Sequence, residues 1–428
     1  MRIVVAILVF SAIILFHEFG HFLFARLNHI VVQEFTLGLG PTIFSWGKGE
    51  TKYCLKALPF GGSCVMLGED TDEVVPGSFH AASVLGRISV VAAGPVFNFI
   101  LAFFLGIFLV VSTGFDPAEV SSVAEGTNAY EAGLRDGDVI TKLNGYHIDC
   151  FRDAYMFMYF HPLEAEVPVE LTVKRDGEKI SLSFLPEVSS RYLLGFNRTS
   201  ASSMTVTSVI PGYPMEDAGL QAGDVVTKIN GIPMADGDAY AAYIAEHPLG
   251  DEPIDVTFER DGLEYDVTIV PKESKTAYLG FNYGIGYVKQ DFVGTLKSAF
   301  LEVKYMFRAT LMSLKELFLG HLGLDDLSGP VGVVDAIGST IEETKSEGFF
   351  MVILNLFSLA ALLSVNLGVM NLLPIPALDG GRLVFLVLEA LRGKPIDRQL
   401  EGSIHFAGMV LLLGLMVFVM FHDITKLL

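Results

Sequence analysis

Four stretches of the chain are almost wholly apolar: residues 3–25 (IVVAILVFSAIILFHEFGHFLFA), 88–112, 349–373 and 404–421. Each is long enough, as a helix rising about 1.5 Å per residue, to cross a hydrocarbon core of roughly 30 Å, the last only just. Between the second and third lies a long polar segment with turns and alternating runs. The pattern predicts a polytopic α-helical membrane protein of about four spans with polar domains inserted between spans two and three. The first stretch reads as a retained span, since only Arg2 precedes it and no A-x-A-like cleavage site follows.

The polar segment repeats itself. Val120-x-x-Val123-x-x-Gly126 recurs as Val206-x-x-Val209-x-x-Gly212, and Ala132-Gly133-Leu134-x-x-Gly137-Asp138-Val139 recurs as Ala218-Gly219-Leu220-x-x-Gly223-Asp224-Val225. Arg175-Asp176-Gly177 recurs as Arg260-Asp261-Gly262, and Leu194-Gly195-Phe196 as Leu279-Gly280-Phe281. Such self-similarity means two copies of one structural unit. Alternating runs such as Val169–Lys174, ending in Asp-Gly, predict hairpins in each copy. The AGL-x-x-GD-V pattern with its LGF element resembles the PDZ domain in its permuted bacterial form. The resemblance implies two α+β copies, at 114–198 and 199–284, that take extended peptides on a sheet edge.

Residues 285–348 form a linker with one amphipathic helix, 296–318. Lys297, Lys304, Arg308 and Lys315 share one face of it, and apolar residues cover much of the rest. A helix of this kind is expected to lie in the membrane interface.

Charge sharpens this division. Residues 114–348 hold 37 of the 49 acidic and 18 of the 29 basic residues, a net of −19 out of −20 for the chain. The mean hydropathy is +0.49 and only 18% of residues are charged, against about 25% in soluble domains. An ordinary soluble enzyme is excluded, and so is a nucleic-acid-binding chain, which needs a basic face. The short loops 26–87 and 374–403 concentrate the remaining Lys and Arg, which places both on the cytoplasmic side and the acidic segment outside. Cys54 and Cys64 then face a reducing compartment.

The first span carries His17-Glu18-Phe19-Gly20-His21. The H-E-x-x-H spacing puts two imidazoles on one helix face, where both can ligate a zinc ion, with a glutamate placed to act on a water. Each ionisable side chain at a membrane helix centre costs roughly 2.5–3.5 kcal/mol, so three within five positions need a compensating partner. A hydrolytic zinc site needs a third protein ligand. Asp379 is the candidate, in Asn371-Leu-Leu-Pro374-Ile-Pro376-Ala-Leu-Asp379-Gly380-Gly381, where two prolines and two glycines break the helix after the third span. Gln33–Gly40 and the strand-like Tyr53–Leu58, within a cytoplasmic β-loop at 30–66, are candidates for holding a substrate extended.

HEFGH in the first span, NLLPIPALDG after the third, LSGP at Leu327–Pro330 and the two PDZ-like copies together resemble the site-2 protease family of intramembrane zinc metalloproteases. The resemblance covers nearly the whole chain. It implies one zinc per chain held by His17, His21 and Asp379, with Glu18 as catalytic base and Asn371 and Pro374 in the segment that handles substrate. It implies membrane cores at 1–113 and 349–428, an inner-membrane location, and substrates such as trimmed anti-sigma factors or signal-peptide remnants, cut within their spans. Relatives often carry His after the paired glycines, where this chain has Arg382. Two rival readings are a PDZ membrane scaffold with a structural zinc site and a metal transporter. Glu18 argues against the first, and the lack of paired polar residues in spans two and four argues against the second.

Overall fold

The protein is described by a computed structural model covering residues 2–47, 49–69, 74–198, 203–323 and 329–427. Lys48 of the first basic loop and Leu327 and Ser328 of the LSGP motif lie outside the described residues. In chain order the elements are α1 (Arg2–Leu27), β1 (Val32–Trp46), β2 (Lys52–Met66), α2 (Val84–Thr113), β3 (Val120–Val123), α3 (Asn128–Glu131), β4 (Val139–Leu143), β5 (Tyr146–His147), α4 (Phe151–Phe160), β6 (Val169–Arg175), β7 (Glu178–Phe184), β8 (Glu187–Leu193) and β9 (Phe196–Arg198). There follow β10 (Val206–Val209), α5 (Pro214–Asp217), β11 (Val225–Ile229), β12 (Ile232–Pro233), α6 (Gly237–Glu246), β13 (Ile254–Arg260), β14 (Leu263–Ile269), β15 (Lys272–Tyr278) and β16 (Phe281–Tyr283). The chain closes with α7 (Phe292–Phe318), α8 (Pro330–Thr344), α9 (Phe349–Leu372), α10 (Asp379–Arg392) and α11 (Arg398–Leu427). These elements form two compact units, one of residues 1–118, 148–160 and 284–428, the other of 119–147 and 161–283.

In the first unit, four helices among the described residues are long and apolar enough to cross a membrane: α1, α2, α9 and most of α11. The hub is α2, which packs against α1, α7, α9 and α10. Small residues let these backbones close up, as in membrane helix pairs generally. A side chain at Gly20 of α1 would strike the Ala93 carbonyl of α2, and one at Gly368 of α9 would crowd the Pro95 carbonyl and Asn98. After α1, strands β1 and β2 pair as a hairpin in which each strand is bent. Phe35 therefore faces Cys64 on one side and Tyr53 on the other, and Trp46 faces Tyr53.

The amphipathic helix α7 does not spend its basic stripe on solvent alone. Lys304 Nζ lies 2.7 Å from Asp149. Arg308 pairs with Asp149 and Asp153 just before and within α4. Arg152 of α4 pairs in return with Glu302. The opposite side of α7 sends Met306 into a core with Ala102 of α2 and Ala361 and Val365 of α9. Lys304 and Arg308, two of the four basic residues that predicted an interfacial helix, thus meet carboxylates at α4, because ion pairing is favoured once the charges are partly withdrawn from water, and Lys315 stands 3.7 Å from its neighbour Glu316. Lys297 and Lys315 remain exposed.

In the second unit both copies form the same four-stranded antiparallel sheet, in the orders β5-β4-β6-β7 and β12-β11-β13-β14. The two-residue turns Asn144-Gly145, Asp176-Gly177, Asn230-Gly231 and Asp261-Gly262 all have positive φ at both positions, the geometry that tight hairpins demand. One ion pair joins the two repeated motifs in each copy. Arg175 Nε and Nη2 donate to Asp138 at 2.7 Å each, and Arg260 does the same to Asp224 at 2.8 and 2.7 Å.

The closing strands cross the repeat boundary. β9, carrying the first LGF phenylalanine, pairs with β10, the first strand of the second copy. β16, carrying the second, pairs with β3 of the first copy. β8 and β15 pair along seven residues. Leu194 of the first LGF accordingly packs in a core with Met204, Val206, Met215, Val226 and Phe258.

Candidate metal centre

The centre assembles from α1, α2 and the turn between α9 and α10. His17 and His21 stand one turn apart on α1 and are both buried. Their imidazole edges approach across a small residue of α2, since a side chain at Gly94 would overlap both rings. The turn after α9 carries the third group. Ala377 adopts φ +75°, an uncommon conformation for a residue with a side chain, and its N–H donates to His405 Nδ1 at 2.9 Å. A side chain at Gly380 would strike the Leu372 and Leu373 carbonyls, and one at Gly381 the Ile375 carbonyl. The paired glycines therefore let the chain fold back on itself and start α10 with Asp379 in its first turn.

Three donor atoms converge. His17 Nε2 and His21 Nε2 are 3.2 Å apart, and Asp379 Oδ2 is 3.2 Å from the first and 3.4 Å from the second. Ligand atoms about 2.0–2.2 Å from a tetrahedral zinc ion stand roughly 3.3–3.6 Å from one another. Asp379 Oδ2 is also buried and accepts no hydrogen bond, as suits an oxygen that faces a cation. The described residues contain one such cluster of His, Cys, Asp or Glu. The set fits a zinc ion.

Each imidazole is oriented through its other nitrogen. His21 Nδ1 lies 2.9 Å from the Val90 carbonyl of α2, which fixes its proton on Nδ1 and leaves Nε2 as a lone pair. His17 Nδ1 lies 3.1 Å from the side-chain amide of Asn98, which is fully buried. The atom placed there is Nδ2, but the two ends of an amide have one shape: a His17 that ligates through Nε2 carries its proton on Nδ1, and turning the amide over gives that proton the Asn98 Oδ1, which otherwise is buried with no partner. The Asn98 backbone carbonyl accepts a 2.8 Å hydrogen bond from Ser364 of α9. Glu18 is half-buried between the histidines, on a face where a side chain at Gly62 of β2 would meet its Cγ. Only a glycine there lets the hairpin come so close to the centre.

His17, Glu18, His21 and Asp379 are therefore brought to one place. Asn371 lies in the last turn of α9, half-buried, with its amide donating to the Leu367 carbonyl at 3.1 Å. Pro374 is exposed in the following turn. The residues that pattern reading passes over are Asn98, Gly94 and Gly62. Asn98 was visible as a polar residue in an apolar span, and contrary to expectation the second span does hold a paired polar group. Gly94 and Gly62 offered no signal, because a glycine required by a neighbour's side chain looks like any other glycine.

Comparison with known proteins agrees with this architecture. Residues 5–415 match Peptidase family M50, and the chain belongs to that family. The zinc metalloprotease RasP of Geobacillus kaustophilus is 33% identical, over 98% of this chain and 97% of its own. The regulator of sigma-W protease RasP of Bacillus subtilis is 30% identical, over 99% and 98%. The regulator of sigma E protease of Haemophilus influenzae is 30% identical, over 98% of both chains. Among solved structures, the HtrA3 PDZ domain bound to a phage-derived ligand covers 21% of this chain at 21% identity, with a TM-score of 0.18 that carries no argument. The chain is a zinc metalloprotease of the site-2, intramembrane type.

Proposed function

We propose that His17, His21 and Asp379 hold one zinc ion per chain and that Glu18 is the base that cuts peptide bonds inside the spans of other membrane proteins. The observation that carries this reading is the triangle of two Nε2 atoms and an orphaned Oδ2 with edges of 3.2–3.4 Å. Zinc, when bound, acidifies water and polarises the scissile carbonyl. Glu18 takes the proton of the attacking water and delivers it to the leaving amine. Val90 and Asn98 hold the imidazoles in one tautomer. Asn371 and Pro374 border the substrate at the break between α9 and α10. The hairpin β1–β2 receives the unwound substrate as an added strand, with Gly62 bringing that sheet against Glu18.

The spans run with the loops 26–87 and 374–403 in the cytoplasm and the acidic copies outside a bacterial inner membrane. The substrates are single-span proteins of the anti-sigma-factor or signal-peptide-remnant kind, with the surrounding lipid as solvent for both. The two copies are PDZ domains that screen substrates, by bulk or by binding peptide ends. No structural zinc scaffold needs an acid between its ligands, and Glu18 is that acid.

The test is cleavage of a co-reconstituted single-span protein. Glu18→Gln should keep zinc and lose cleavage by about 10²–10⁴-fold, the worth of a general base. Undiminished cleavage by that variant, or full zinc in a His17→Ala/His21→Ala double variant, would refute the assignment.

A further inference from the structure

Between α9 and α10 the chain turns through Pro374, Ile375, Pro376, Ala377 and Leu378. We infer that His405 of α11 is a positioning residue for the proposed ligand Asp379, acting through Ala377, the residue of that turn with positive φ. The inference deepens the zinc reading and rests on it.

Backbone hydrogen bonding is the first argument. The two prolines have no N–H to donate. Ile375 donates to the Leu373 carbonyl at 2.7 Å and Leu378 to the Ile375 carbonyl at 3.2 Å. The Ala377 N–H is left to His405 Nδ1, 2.9 Å away. At the broken end of a span water is a poor substitute, so an unpaired N–H is costly. That one bond also fixes a conformation. A side chain at φ +75° is crowded against its own backbone, and such a residue stays there only where its surroundings impose it.

The seating of α11 is the second argument. Gly408 lies three residues beyond His405, on the same helix face, and a side chain there would strike the Pro376 ring and carbonyl. Gly408 and Asp423 are the buried residues among those described in α11. Asp423 serves α8, accepting from the Gly329 and Gly332 N–H groups at 3.1 and 2.8 Å. The turn is thus one of two places where α11 is pinned.

The imidazole is the third argument. With Nδ1 as acceptor, the proton sits on Nε2, which is buried with no acceptor among the described residues. A leucine would fill the place beside Phe385 without that cost. What the imidazole adds is the acceptor for Ala377, two residues before Asp379. Asp379 Oδ2 must hold its place 3.2 and 3.4 Å from the two Nε2 atoms, and a ligand set tolerates errors of only about 0.5 Å.

The experiment is a double-variant cycle on the full-length protein in detergent, read by zinc competition with a chromogenic chelator and by cleavage of a single-span substrate at saturating zinc. His405→Leu should weaken zinc binding by about five- to thirtyfold, the worth of one side chain in the left-handed region, and should lower kcat while KM holds. His405→Asn should recover most of both, because its Oδ1 stands one bond from Cγ as Nδ1 does. Glycine takes positive φ freely, so in an Ala377→Gly background His405→Leu should cost less than about twofold. Zinc held by His405→Leu as tightly as by wild type, an equal loss with and without Ala377→Gly, or an Asn variant no better than Leu would overturn the positioning role. Full zinc in Asp379→Ala would instead overturn the ligand assignment on which it rests.

Discussion

Replacing Asn98 by alanine isolates the outer support of one proposed ligand. The amide is fully buried and its only described side-chain contact is His17 Nδ1, 3.1 Å away. The packing of α2 on α9 survives the change, because Ser364 bonds the Asn98 backbone carbonyl and not its side chain. What is lost is the acceptor for a buried N–H. Leaving such a group unpaired costs about 1–3 kcal/mol, or roughly five- to a hundredfold in affinity at about 1.4 kcal/mol per decade. Loss of an outer partner of a metal-bound histidine costs about 10–100-fold by direct experience of such sites. Asn98→Ala should therefore weaken zinc binding by about tenfold or more, while Asn98→Asp, which keeps an acceptor toward Nδ1, should recover most of it. Equilibrium competition with a chromogenic chelator on the detergent-solubilised protein reads both. An Asn98→Ala variant that holds zinc as tightly as wild type would show that His17 does not ligate through Nε2 with its proton on Nδ1.

Gly94→Ala should displace both imidazoles and lower zinc content and cleavage together, checked by metal analysis of the purified variant. Arg260 beside Asp224 holds that carboxyl below the usual carboxylate range. The pair's stabilisation is thus present above roughly pH 4, the ordinary value for aspartate, and is lost as pH falls through the lowered native value. Denaturant titrations of the full chain should show a shallower loss of stability with acid in Asp224→Asn than in wild type. All three cysteines are free thiols and buried, so orientation must be read from introduced ones. Glu50→Cys should resist an impermeant maleimide applied from outside, and Lys179→Cys, also exposed, should react.

Much of the candidate metal centre was legible because its signal is local or costly. His17 and His21 fall one helical turn apart in any helix, and ionisable groups in an apolar span demand a partner. Asp379 was legible from its setting, since the prolines and glycines around it announce broken backbone at the end of a span. Asn98 was visible as a residue but not as a partner, because nothing in a sequence says which face of α2 meets α1. The ion-pair partners of α7 were not legible for a related reason. A basic stripe reads the same whether it will face lipid headgroups or carboxylates, and Asp149 and Asp153 lie far from it along the chain.

The repeat was legible too, yet it does not show how the copies share their strands. Self-similarity locates each LGF element but leaves two equivalent sheet edges for it, one in each copy. Chain connection decides between them. Seven residues, 199–205, separate β9 from β10, whereas β9 and β3 are separated by most of the first copy. The entropy of closing a loop grows with its length, so the nearer edge is the cheaper partner for β9. That choice leaves β3 with an open edge, and an unpaired edge is a liability. β16, arriving at the end of the second copy, closes it. The long β8–β15 pairing brings together the two segments that lead into these exchanged strands, which holds both exchanges in register. The second copy is thereby enclosed between two strands of the first, and the pair folds as one interlocked body whose boundaries in space differ from those in sequence.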